Sequence, residues 1–174
     1  MMVLGRFYIR MLAAVGVAAG VAGVAGAAFA AEVLGRHSDW RALRNGDGKE
    51  LLCFAITEPK EMAPKGANRD QPHFYVSAWP AAGVKGEISV KMGYPVKRGS
   101  AATANVDGAV FRLFPDADRL FVGDPTQELK FIEAVRKGSN LTLKAISERG
   151  TTTTDTYSLA GASQALQTVA DKCK

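Results

Sequence analysis

The chain has 174 residues and a mass of 18.5 kDa, enough for one ordinary domain and too little for two large ones. Hydrophobic residues make up 47% and charged residues 22%, which excludes a disordered tail, a collagen-like repeat and a coiled-coil filament. The net charge of +5 falls to +3 once Arg6 and Arg10 are set aside, too little to call for a nucleic-acid partner.

The first thirty residues read as an address. Arg6 and Arg10 form a positive leader, Met11 to Ala27 is an apolar run rich in Ala, Gly and Val, and Ala28-Phe29-Ala30 fits a small-x-small cleavage site. That pattern is a secretory signal peptide over residues 1–30, cut between Ala30 and Ala31, followed by a single domain over residues 31–174. A retained membrane anchor is the competing reading, because Met11–Ala31 is uncharged and about 20 apolar residues can span a bilayer. The run is weakly hydrophobic, however, with Gly16, Gly20, Gly23 and Gly26 and only one leucine. No membrane span is expected after cleavage.

Export implies an oxidising compartment. Cys53 and Cys173 are the only cysteines and form no CxxC pair, so neither a zinc ribbon nor a thioredoxin-like motif is available. An even count outside the cytoplasm reads as one structural disulfide, Cys53 to Cys173, with two free thiols as the alternative. Closing so long a loop stabilises a fold by about 4–5 kcal/mol in the chain-entropy treatment. Cys53 lies in the apolar run Leu51–Ile56, where a thiol is unreactive.

In chain order, Glu32 to Asp39 reads as a short lead, followed by Trp40 and a turn at Asn45-Gly46-Asp47-Gly48. Leu51–Thr57 predicts a central strand covered on both faces, with Leu52, Phe54 and Ile56 on one of them. Glu58 to Gln71, with Pro59 and Pro64, reads as an exposed loop. His73–Trp79 alternates Phe74, Val76 and Ala78 against His73, Tyr75 and Ser77, and Glu87–Met92 alternates Ile88, Val90 and Met92 against Glu87, Ser89 and Lys91. Gly93-Tyr94-Pro95 breaks the pattern. Thr103–Val106 and Val110–Phe114 flank Asp107-Gly108, the expected two-residue hairpin turn.

Two helices are predicted. Asp124 is an N-cap, Pro125 suits the first helical position and Gln127 could complete a capping box; Leu129, Ile132 and Val135 form an apolar stripe beside Phe131, closed by Gly138. Asn140–Ser147 and Thr151–Leu159 return to strand character. From Gly161 onward Ala162, Leu166, Val169 and Cys173 fall at helical spacing, which puts Cys173 on a buried face within reach of Cys53. Recurring strands and turns predict an antiparallel sandwich or barrel.

Chemistry-bearing residues are sparse. His37 falls in the lead and His73 at a strand start, and neither has a local triad spacing. Asp116 and Asp118 flank Ala117, but Phe121 and Gln127 occupy the places where a calcium loop needs Gly and Glu. No phosphate-cradling glycine motif follows residue 31, and Lys97-Arg98 and Arg136-Lys137 read as solvated doublets. No catalytic, cofactor-binding or metal residue is therefore assigned. Trp40, Trp79, Tyr94 and Tyr157 could form a recognition surface. Trp79 and Tyr94 are taken as its strongest members, with partner binding but not stability expected to suffer from alanine at either.

Several segments resemble one family together. Trp40, Cys53-Phe54-Ala55, Gly93-Tyr94-Pro95, Gly138 and Arg149-Gly150-Thr151 occur in that order, followed by Asp155-Thr156-Tyr157-Ser158-Leu159 and Gly161. This set resembles the invasion-associated locus B family of exported bacterial proteins over roughly Trp40 to Cys173, with no cysteine before Cys53. The resemblance implies an immunoglobulin-like antiparallel β-sandwich with one or two short helices, including a C-terminal one, in the periplasm or secreted from a Gram-negative envelope. It further implies a non-enzymatic protein, an invasion-associated or envelope accessory factor that contacts an envelope or host protein and carries no cofactor. A small periplasmic hydrolase of cell-wall or carbohydrate material is the alternative. In the tail motif, Gly150 is expected to permit a turn, Tyr157 to fill the sheet interface with its hydroxyl near a backbone partner, and Gly161 to let the last helix approach the sheet.

Overall fold

The computed structural model describes residues 31–174; residues 1–30, where the sequence reads as a signal peptide, lie outside the described residues. Eleven strands and two helices follow in chain order. They are β1 (Glu32–His37), β2 (Trp40–Asn45), β3 (Leu52–Thr57), β4 (Glu61–Ala63), β5 (His73–Trp79), β6 (Val84–Lys91), β7 (Ala102–Val106), β8 (Ala109–Asp116), β9 (Arg119–Phe121), α1 (Pro125–Lys137), β10 (Asn140–Ile146), β11 (Thr152–Ser158) and α2 (Ala162–Lys172). The fold is mainly β with a C-terminal helix, as the strand rhythm requires.

All strand pairings are antiparallel, in the order β1-β2-β3-β5-β6-β9-β8-β7-β10-β11-β4. An immunoglobulin domain has two separate sheets. Here β8 pairs with β9 on one side and β7 on the other, so the two halves run into one another. The sheet curls until those halves face. Trp40 of β2 donates its indole N–H to the Ser158 carbonyl of β11 (3.1 Å), and Asp39 N–H reaches the Ala160 carbonyl (3.2 Å).

The period-two alternation explains which residues meet in the middle. Trp40 and Ala42 of β2, Cys53 and Ala55 of β3, Phe74 and Val76 of β5, and Ile88 and Val90 of β6 all face inward and are buried. From the other half Ala104, Phe111, Leu141, Leu143 and Tyr157 meet them. Phe74 is the hub: its ring lies 6.0 Å from Trp40, 6.0 Å from Tyr157 and 5.8 Å from Phe131 of α1, which stacks on Phe111 at 4.4 Å. Aromatic contacts of this kind add to the burial of large rings.

Several expectations need correction. The lead is a strand: Glu32–Asn45 forms the β1–β2 hairpin, and His37, placed in that lead, belongs to the sheet. The loop after β3 contains β4, whose three residues pair with β11. Strand β9, too short to show a period in the sequence, folds back on β8 after Ala117, whose φ is +51°. Within β3, Cys53 and Ala55 point to the core, while on the other face Ile56 is buried and Leu52 and Phe54 are half-buried, so that face is covered only in part. In α1 the Asp124 carboxylate accepts from Gln127 N–H (2.8 Å) as a cap should, but Phe131 and Val135 carry the buried stripe while Leu129 is 66% exposed.

Helix α2 starts against the β1–β2 turn. Gly161 has a φ of +93°, and a Cβ there would lie 1.9 Å from the His37 carbonyl oxygen, so only glycine allows this approach. His37 Nε2 bonds the Thr168 hydroxyl at 2.9 Å, and Lys172 Nζ donates to the Leu34 carbonyl at 3.0 Å. The far end is tied covalently by the Cys53–Cys173 disulfide, with a Cα–Cα distance of 6.0 Å across 120 residues of chain.

Candidate functional site

Two of the motif segments, Gly93-Tyr94-Pro95 and the turn that holds Arg149 and Thr151, line one groove of about 710 Å³. Three segments wall it: residues 64–70 after β4, Gly93-Tyr94-Pro95 after β6, and residues 147–153 leading into β11. Each is held by backbone bonds. Asp70 N–H donates to the Gly93 carbonyl (3.0 Å), and a Cβ on Gly93 would lie 2.1 Å from Asp70 O, so the first wall docks only because residue 93 has no side chain. Glu148 N–H donates to the Pro95 carbonyl and Lys97 N–H to the Ile146 carbonyl, both at 2.9 Å. The turn at 147–151 closes through Gly150 N–H to the Ser147 carbonyl (2.8 Å), with Gly150 at a φ of +85° and open space around it. Its glycine is required by the backbone angle, not by crowding.

At the base of the groove lies an ion pair that sequence spacing could not show. Asp155 faces inward on β11 and is 0% exposed; the Arg69 side chain, 86 residues earlier, is 4% exposed. Both guanidinium ends bond the carboxylate, Nη1 to Oδ2 at 2.8 Å and Nη2 to Oδ1, the forked geometry that makes such pairs strong and specific. Hydrogen bonding to Asp155 raises the Arg69 pKa above its ordinary value. The guanidinium lies 5.7 Å from the Tyr94 ring centre, a cation–π contact, and the Tyr94 and Thr153 hydroxyls share a hydrogen bond. Burial raises the Tyr94 pKa, so its phenol stays neutral. A charged, inward-facing Asp155 between Thr153 and Tyr157 was the available clue, since a buried carboxylate needs a cation.

The two residues expected on a recognition surface are not neighbours. Tyr94 lies just beyond the end of β6 that pairs with His73, and Trp79 closes β5 at the other end, opposite Val84. At about 3.3 Å per residue the strand separates them by roughly 20 Å. Both are half-buried; Tyr94 also packs against the core. Trp40 and Tyr157 are buried and drop out of any surface. The Tyr157 hydroxyl has no hydrogen-bond partner among the described residues, contrary to the expected backbone contact, and burial raises its pKa well above the ordinary value.

His73 sits on the outer face of the sheet with its Nε2 3.6 Å from Glu58, whose carboxylate is also bonded by Arg41 at 3.1 Å. Among the described residues no three His, Cys, Asp or Glu side chains gather as a metal site would require, and no helix is long and apolar enough to cross a membrane.

These features define a mainly-β, disulfide-closed sheet protein with a preformed, mixed-charge groove. No protein-family model matches the chain, and no curated protein matches it by sequence. Among solved structures it is similar to the crystal structure of invasion associated protein b from Bartonella henselae, with a TM-score of 0.56 and 19% identity. That similarity covers 84% of this chain and 100% of the other. At this identity the likeness is one of fold.

Proposed function

We propose that the protein is an exported, non-enzymatic envelope factor that acts by contacting another protein, with the Tyr94 groove as the contact surface. The observation that carries this reading is the fold shared with an invasion associated protein, together with motif residues that build a groove wall. A disulfide and that neighbour both fit a periplasmic or extracellular location. Lys65, Glu148 and Arg149 stand exposed around the rim while Arg69 is engaged by Asp155, so the free charges at the surface are of both signs. Mixed charges around a rigid, partly aromatic wall suit a protein segment, whose own polar rim can complement them. An accessory role in invasion or at the envelope is the finer part of this reading. Trp79, at the far end of the hairpin, would belong to the same interface only if the partner is large.

The test is photo-crosslinking in living cells from positions 65 and 149, with the exposed position 110 on β8, beside the β7–β8 turn and at the other end of the strands from the groove, as control. The rim positions are expected to yield the same discrete protein adduct and position 110 none. Equal labelling from all three, or adducts with glycan strands in place of protein, would remove the protein-contact reading; glycan adducts would favour the hydrolase.

A further inference from the structure

A second concavity, on the other side of the molecule from the Tyr94 groove along β5, combines an apolar interior with a rim of one sign. It lies between the β5–β6 hairpin, α1 and the end of α2 and encloses about 450 Å³, within the range of about 300–1,000 Å³ usual for small-molecule sites. Val76, Ile132, Leu166 and Val169 form its interior, and the disulfide reaches it through Cys173. Three cationic side chains line it, Lys85, Arg136 and Lys174, and no acidic side chain does. Glu133, on α1, lies 3.8 Å from Arg136 Nε but is also 3.4 Å from Lys137 Nζ. Arg136 therefore keeps the two ends of its fork for a carboxylate or phosphate.

We propose that this pocket binds a single-chain anionic amphiphile of the fatty-acid type, its hydrocarbon tail between the two helices and the hairpin and its head group against Arg136, Lys85 and Lys174. Charge complementarity selects this occupant. An apolar tail alone would be served by any rim, whereas three lining cations, met only by a Glu133 carboxylate that Arg136 shares with Lys137, favour an anionic head. Length and charge then act separately. The tail contributes in proportion to the apolar surface it buries, so affinity rises about fourfold per methylene until the pocket is full. The head contributes through a forked ion pair with Arg136, for which a neutral sugar lacks the charge and a cationic head has the wrong one. The site is independent of the Tyr94 groove and of the protein-contact reading.

The experiment titrates the unaltered, disulfide-bonded protein with decanoate, dodecanoate, dodecyl maltoside and dodecyltrimethylammonium, each below its aggregation concentration. Binding is followed through side-chain methyl resonances. Dodecanoate is expected to shift the methyls of Val76, Ile132, Leu166 and Val169 and, with two more methylenes, to bind about fifteenfold tighter than decanoate. The maltoside and the ammonium are expected to bind at least tenfold more weakly than dodecanoate, as a head-group preference of about 1.4 kcal/mol per tenfold step requires. Two variants separate tail from head. Ala170→Trp, at an exposed position on the wall, is expected to abolish binding with the charge unchanged. Arg136→Glu with Lys85→Glu is expected to reverse the preference toward the ammonium. The proposal is overturned by shifts spread over the outer face of the sheet, by equal affinity for all three head groups, or by no shift with dodecanoate. Vesicles of anionic phospholipid that bind where free dodecanoate does not would likewise overturn it in favour of a membrane surface.

Discussion

Replacing Asp155 with alanine is expected to destabilise the protein by about 3–5 kcal/mol, because it strands the Arg69 guanidinium in an environment where its side chain is 4% exposed. The cause is asymmetric. Two charges taken out of water together cost little net when both ends of the guanidinium bond both carboxylate oxygens; one charge left without its partner keeps the whole desolvation penalty. Arg69→Ala is therefore expected to be comparably harmful, leaving a carboxylate that is 0% exposed. The double variant Arg69→Met/Asp155→Leu is expected to recover most of the loss, since an apolar pair of similar volume carries no unpaired charge. Urea denaturation of the unaltered protein, Arg69→Met, Asp155→Leu and the double variant closes the cycle. A sum of single effects that equals the double would show that the pair is not coupled. The groove should respond as well. Arg69 anchors the 64–70 wall to β11 and supports the Tyr94 ring, so amide exchange over residues 64–70 is expected to quicken in Asp155→Ala before the sheet itself opens.

The second large effect concerns the disulfide. Cys53→Ala/Cys173→Ala is expected to lose about 2–5 kcal/mol, near the upper end because the bridge spans 120 residues. At about 2–4 °C per kcal/mol for a chain of this size, the melting temperature should fall by roughly 10 °C. Alanine is preferred to serine at residue 53 because that site is fully buried and would leave a hydroxyl without a partner. The remaining tethers of α2 decide what the loss looks like. Gly161 still packs on His37, and the Thr168 contact with His37 persists, so the start of the helix should stay docked. Its last turn, Val169 to Lys172, loses its only covalent anchor. Amide exchange is expected to quicken most in that turn, with the core strands losing only the protection that the global loss of stability removes. An unaltered melting temperature would mean that the bridge carries no load.

Much of this architecture could be read from residue order because its signals are local. The alternation in His73–Trp79 gives β5 with its bounds and its inward face, and Asp124-Pro125 marks the start of α1. The Cys53–Cys173 pairing followed from an apparent export signal and an even count. What escaped had no local signature. Strands β4 and β9 have three residues each, too few to show a period, and exist because a long neighbour offers them an edge. Strand β1 reads as a polar lead because its burial comes from α2, at the other end of the chain. Leu129 fits the helical stripe by spacing, but the core reaches α1 through the Phe74–Phe131–Phe111 stack, which turns Leu129 to solvent. The groove was half legible. Gly93-Tyr94-Pro95 and Arg149-Gly150-Thr151 stood out as motifs, yet their meeting depends on a long-range pair, Arg69 with Asp155, that only the folded chain brings together.

We propose that this chain works outside the cytoplasm as a disulfide-closed domain. Intact-mass measurement of the protein recovered from its native envelope, after blocking free thiols under denaturing conditions, tests it most directly. The expected mass begins at Ala31 and carries no blocked cysteine, with two blocking groups added only after reduction. A full-length mass bearing two blocked thiols before reduction would contradict both the export and the closure on which the account depends.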